Sequence, residues 1–164
     1  TALSRVLLAE DLRAAIADDQ LLVHYQPIVD LTTGRTTGVE ALVRWEHPER
    51  GLLAPAEFVG VAEDTGLVTA LDRWVLRTAV AQLAAWRSGF LRGHEFAMHV
   101  NVSPIELRTP RFAEGVLDCL AEHGVPPGDL MLEMTESHLM GEDAGTLSAL
   151  ERLRTAGVAV AIDD

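Results

Sequence analysis

From His94 onward the sequence alternates short apolar runs with longer amphipathic ones. His94–Val102, Asp129–Glu136 and Val158–Asp163 read as strands. Arg111–His123 and Asp143–Ala156 read as helices, closed by Gly124 and Gly157. Strand and helix in strict alternation leave few arrangements open. Successive strands lie parallel in one sheet, and each connecting helix packs back on it. The runs are apolar almost throughout, which predicts strands covered on both faces.

The first half of the chain opens differently. Apolar residues recur through Leu3–Asp19 at helical spacing, and the pattern stops near Asp18-Asp19. Leu21–Leu31 and Thr36–Trp45 read as strands separated by the turn Thr32-Thr33-Gly34-Arg35, so they are expected to pair as a hairpin. Pro55 opens a helix that ends near Gly66, and Leu67–Arg87 is a long amphipathic helix. The expected organisation is an N-terminal helix or connector over residues 1–20, then one domain over residues 21–164. With 164 residues there is enough chain for one real core.

Composition removes several function classes. The net charge of −12 excludes a duplex nucleic-acid binder with a basic face. An anionic ligand remains open to an acidic chain when cations invert the local field. The one cysteine, Cys119, excludes an internal disulfide framework and fits a reducing cytosol. A cytoplasmic setting is expected, either free or as the cytoplasmic part of a membrane-attached protein. No run in this stretch is long and apolar enough to span a bilayer.

Four successive strands, the second to the fifth, also carry a carboxylate or carboxamide within them or near their C-terminal ends. These are Glu40 on the second, Asn101 on the third, Glu133 and Glu136 on the fourth, and Asp163-Asp164 at the end of the fifth. A carboxylate inside an apolar strand is costly unless paired or metal-bound. In a parallel barrel the C-terminal strand ends converge on one face, where active sites sit. Carboxylates and an amide gathered there repel one another unless cations lie among them. Oxygen-only ligands suit Mg²⁺ or Mn²⁺.

At this point the residues resemble a known family. Glu40-Ala41-Leu42-Val43-Arg44-Trp45 is similar to the signature that names EAL domains. Tyr25-Gln26-Pro27-Ile28 resembles the family's first-strand motif, and His47-Pro48-Glu49-Arg50-Gly51 with Pro55-Ala56-Glu57-Phe58 resembles its next loop and helix. Asn101-Val102-Ser103-Pro104, Leu132-Glu133-Met134-Thr135-Glu136-Ser137 and Ile162-Asp163-Asp164 resemble its later segments, in the same order. The triplet Glu-Ala-Leu alone would carry nothing, because it is common in helices.

The resemblance implies a modified TIM-type (β/α) barrel with an antiparallel first strand, of which this sequence supplies the first five strands. It implies hydrolysis of cyclic di-GMP to linear pGpG in bacterial second-messenger signalling, with two Mg²⁺ or Mn²⁺ ions. Glu40, Asn101, Glu133, Asp163 and Asp164 would hold the metals, with Glu40, Asp163 and Asp164 central to catalysis. Gln26, Leu42 and Arg44 would contact the substrate, Arg44 on a phosphate oxygen, a task suited to a planar, permanently charged guanidinium. Glu136 would steady the loop after Asp164. The alternative is a catalytically degenerate EAL domain that acts as a cyclic di-GMP receptor or protein-interaction module. A homodimer and an upstream sensory or GGDEF-type domain are expected from the family. The start at Thr1 reads as a piece of a longer protein. The family's later lysine, glutamate and glutamine fall beyond Asp164, so a protein ending there is expected to be inactive and to expose Val158–Asp163 as an apolar edge.

Other residues read as structural. His24, His47, His94, His99, His123 and His138 show no paired zinc spacing. His47 is expected in a loop, and His99 as an ordinary strand residue. Cys119 reads as packing. Trp45, Trp74 and Trp86 read as core or face packing.

Overall fold

The computed structural model describes residues 1–135 and 144–163. Helix α1 (Ala2–Ala17) starts where the Thr1 hydroxyl accepts the Ser4 N–H at 3.3 Å. It buries Leu8, Leu12 and Ala15 against the rest of the fold. Strand β1 (Leu21–Val29) then pairs antiparallel with β2 (Thr36–His47). In the turn between them, one Asp30 carboxylate oxygen accepts the Thr32 and Thr33 N–H groups at 2.7 and 3.0 Å. Gly34 takes the positive φ of 68° that the turn requires.

Strand β3 (Gly51–Leu53) is a short addition that the sequence pattern did not reveal. It pairs antiparallel with the end of β2, Trp45 opposite Leu53. Helices α2 (Pro55–Thr65) and α3 (Val68–Ser88) follow. The Glu57 carboxylate accepts the Ala54 N–H at 2.8 Å and fixes the start of α2. Next come β4 (Ala97–Asn101), the single-turn helix α4 (Pro104–Leu107), α5 (Phe112–His123), β5 (Leu130–Thr135), α6 (Ala144–Ala156) and β6 (Ala159–Asp163). The strand order is β1-β2-β4-β5-β6, antiparallel only at β1 and at the β3 spur.

This is the arc of a (β/α) barrel with an antiparallel first strand, as expected. Its two faces differ sharply. Side chains alternate across a strand, and one face carries Val39, Ala41, Trp45, Met98, Val100, Leu130, Leu132 and Met134, all buried. That face lies under the helices and joins their buried residues in one core. The other face carries Glu40, Leu42, Arg44, His99, Asn101, Met131, Glu133 and Asp163, which are half-buried or exposed. The prediction of strands covered on both faces therefore holds only for the outer face among the described residues. Of the exposed large apolar residues, Ile162 lies on β6, at one edge of the sheet.

Trp45 belongs wholly to the core. Its ring is fully buried, meets Phe58 edge-on at 5.6 Å, and its indole N–H reaches Gln20 Oε1 at 3.3 Å. His47 is not in a loop but closes β2. Its Nδ1 accepts the Glu49 and Arg50 N–H groups at 3.1 and 3.3 Å. That leaves Nε2–H to donate to Asp11 on α1 at 3.1 Å. The buried ring thus ties the end of β2 to the first helix.

Candidate functional site

The register sets the geometry of the inner face. Gln26 on β1 lies directly opposite Glu40 on β2. Glu40 is level with His99 on β4, His99 with Met131 on β5, and Met131 with Ala159 on β6. Asn101 is level with Glu133, and Asp163 with Thr135. Walking from β2 to β6, the oxygen-bearing side chains therefore climb along the strands, Glu40 to Asn101 and Glu133 to Asp163. Asp163 sits four residues past the rung of Glu40. An eight-stranded barrel with shear 8 gains about one residue per strand step. The diagonal thus keeps these side chains at similar height along the barrel axis.

The side chains confirm that proximity where they touch. Asn101 Nδ2 donates to Glu40 Oε1 at 3.1 Å. An ionised carboxylate only accepts, so the amide nitrogen must face Glu40, and the neutral Oδ1 of Asn101 stays available as an oxygen donor. Glu133 is 2.5 Å from Nδ1 of His99. Leu42 and Arg44 lie on the same face of β2 as Glu40, beyond the last β4 pairing at Ala41–Val100. Arg44 Nη1 donates to the Val43 carbonyl at 2.8 Å, so the guanidinium is held at the rim. Asp163 is exposed at the end of β6. Asp164 and Glu136 lie outside the described residues.

A hard divalent cation fits this donor set in chemistry. Glu40, Asn101 and Glu133 offer only oxygen once the amide is oriented, and hard cations take oxygen ligands. No three His, Cys, Asp or Glu side chains among the described residues already surround one point. What the fold assembles is two neighbouring pairs, Glu40 with the Asn101 amide and Glu133 with His99, and Asp163 further along the same diagonal.

Two consecutive residues of α3 brace the turn just after Asn101, and neither stood out in the sequence. Asp72 Oδ2 accepts the Ser103 N–H at 2.9 Å, and Arg73 Nε meets the buried Glu106 of α4 at 3.0 Å. The Ser103 hydroxyl accepts the Glu106 N–H at 3.1 Å and caps α4. Behind this brace, between α3 and α5, is a cavity of about 420 Å³ that touches Asn101, Glu106 and Phe112. It opens on the helix side of the sheet and belongs to the support rather than to the inner face. His99 was also missed. Its spacing of two from Asn101 placed it on the same strand face and was the available signal.

Burial pushes the Asp72 carboxyl up to about 6, from 3.8. Hydrogen bonds from Ser103 oppose the rise, while the charges of Glu106 and Glu63 add to it. The folded state thus holds this proton more tightly than the unfolded chain does. The associated stability is fully present below about pH 4 and is lost as pH rises through about 6. Asp72→Asn keeps an oxygen for the Ser103 N–H and removes the titration. It should be more stable than the wild type above about pH 6, by up to about 3 kcal/mol, with the gap closing below about pH 4. Urea unfolding at the two pH values measures this, and an equal gap at both would refute it.

The comparisons with known proteins agree with this fold. The family model described as "EAL domain" matches residues 9–164. The chain belongs to the EAL domain family. Among its relatives, an uncharacterized signaling protein of Caulobacter vibrioides is 45% identical over 157 residues, which is 96% of this chain and 19% of that protein. The Cyclic di-GMP phosphodiesterase NbdA of Pseudomonas aeruginosa is 45% identical over 156 residues, 94% of this chain and 20% of that protein. The Bifunctional diguanylate cyclase/cyclic di-GMP phosphodiesterase MucR of the same organism is 40% identical over 158 residues, 96% of this chain and 23% of that protein. The chain thus spans about a fifth of the length of these curated relatives. The solved structure of the MucR phosphodiesterase in complex with c-di-GMP superposes with a TM-score of 0.89, covering 96% of this chain and 63% of that one. The FimX EAL domain of Xanthomonas citri in complex with c-diGMP is 28% identical, with a TM-score of 0.82 over 97% of this chain and 60% of that one. The EAL fold is a TIM-type barrel, and the described strands form part of its wall. No described helix is long and apolar enough to cross a membrane.

Proposed function

We propose that this EAL domain hydrolyses cyclic di-GMP to linear pGpG using two divalent cations, Mg²⁺ or Mn²⁺. The observation that supports the reading is that Asn101 hydrogen-bonds Glu40 and stands level with Glu133 on the inner face. Three separate strands bring oxygen ligands to one diagonal, and the Asn101–Glu40 hydrogen bond at 3.1 Å orients the amide for a cation. When bound, paired divalent cations supply an activated water and neutralise charge on the phosphate oxygens.

The chain's own residues do the rest. Glu40, Asn101 and Glu133 hold cations, with Asp163 and Asp164 extending the set at the end of β6. Arg44, held at the rim by its bond to the Val43 carbonyl, presents a fixed positive charge to a substrate phosphate. Gln26, opposite Glu40, and Leu42, between Glu40 and Arg44 on the same strand face, contact the substrate. Glu136 steadies the loop that follows Asp164. The acidic net charge is compatible with this chemistry, because the cations rather than a basic cradle meet the phosphates. We also propose that the domain works as a homodimer, coupled through α1 to an upstream sensory or GGDEF-type module.

The test is direct. The full-length protein, incubated with cyclic di-GMP and Mg²⁺ or Mn²⁺, should yield linear pGpG by chromatography, and chelation should stop it. Binding of cyclic di-GMP with no product under either metal would retire the hydrolase and leave a receptor.

A further inference from the structure

The metal-site reading gives His99 no task, although it stands among the proposed site residues on the inner face. It stands level with Glu40 on the neighbouring strand and two residues before Asn101. Its side chain is 15% exposed and that of Glu133 is 14%, so both are largely shielded from water. Nδ1 lies 2.5 Å from Glu133 Oε1. An ionised carboxylate has no proton to give, so Nδ1 must carry the hydrogen. That nitrogen is therefore engaged by Glu133 and is not a free ligand. The bond also fixes which carboxylate oxygen is occupied and which is left over.

We propose that His99 is a positioning residue for Glu133, its Nδ1–H holding Oε1 so that Oε2 is the oxygen offered to a divalent cation. The proposal rests on the reading of Glu133 as a metal-holding residue. Two physical reasons support it. A carboxylate on a half-buried strand position can rotate about its last torsion, and a short charge-assisted hydrogen bond stops that rotation. Partners that orient metal-binding groups in this way typically change metal affinity by about 10–100-fold when removed. The partner comes from a neighbouring strand of the same sheet, so its position is set by the β4–β5 register rather than by a loop.

The experiment titrates Mn²⁺ alone into the full-length protein, followed calorimetrically, with no substrate present. His99→Ala and the size-preserving His99→Leu should each weaken Mn²⁺ binding by about tenfold. His99→Asn, whose Nδ2 takes the place of Nδ1, should restore most of it. Turnover in His99→Ala should recover as Mn²⁺ is raised, which a merely structural defect would not do. Affinity within twofold of the wild type in both His99→Ala and His99→Leu, or an Asn variant as weak as Ala, would overturn the proposal. Glu133→Gln separates the two levels. If it loses Mn²⁺ while the His99 variants do not, the role of His99 alone fails. If Glu133→Gln binds Mn²⁺ normally, the reading of Glu133 as a metal-holding residue falls and the role of His99 falls with it.

Discussion

Glu40→Ala should lower cyclic di-GMP turnover by the full-length protein by at least about a thousandfold, equivalent to about 4 kcal/mol of lost transition-state stabilisation. The side chain has two connections that alanine removes together. It is a proposed cation-holding carboxylate, and it is the acceptor that orients the Asn101 amide at 3.1 Å. Without it the Asn101 amide is free to turn, so a second oxygen donor is weakened along with the first. The strand itself should survive. Glu40 lies on the half-buried inner face, while the packing of β2 rests on Val39, Ala41 and Trp45 on the other side. A thermal unfolding curve close to that of the wild type should therefore accompany the loss. Turnover within tenfold of the wild type at saturating Mg²⁺ and Mn²⁺ would remove Glu40 from the catalytic set.

Gly38→Ala should destabilise the fold by about 3 kcal/mol or more, lowering Tm by roughly 6–12 °C. A Cβ built at Gly38 would lie 2.3 Å from the Ala97 carbonyl oxygen and 3.2 Å from its carbon. These are backbone atoms at the first rung of the β2–β4 pairing, Gly38 opposite Ala97. No flexible side chain is there to yield, so the strands must part where the parallel sheet begins. Gly60 in α2 makes the contrast. It is exposed, and a Cβ there meets nothing within 4 Å. Gly60→Ala should raise stability by about 0.5–1 kcal/mol through helix propensity alone. Because Gly38 is two residues before Glu40, its alanine variant should also lose activity before it unfolds. Equal Tm values for the Gly38 and Gly60 variants would refute the close-approach account.

Much of the fold was legible because apolar periodicity and turn chemistry are local. The hairpin followed from Thr32-Thr33-Gly34-Arg35 between two apolar runs, and the helix ends followed from Gly66, Gly124 and Gly157. What escaped was set by partners distant in sequence. Strand β3 has three residues and exists only because the end of β2 offers it an edge. Helix α4 is a single turn, held by Ser103 and by Asp72 and Arg73 from α3. His47 looked like loop because nothing near it in sequence shows that Asp11 waits opposite its Nε2.

For the proposed site, the sequence determined which strands bear oxygen-bearing side chains and at which positions. Spacing alone put Glu40, Leu42 and Arg44 on one face of β2. Order and motif were enough for the family. Only the tertiary structure decided how those strands are staggered, and so which of these side chains meet. Register is a property of pairing between segments tens of residues apart, and no single strand encodes it. That stagger brings Asn101 to Glu40 and sets it level with Glu133. It also gives His99 a partner where the sequence had shown only an ordinary strand residue.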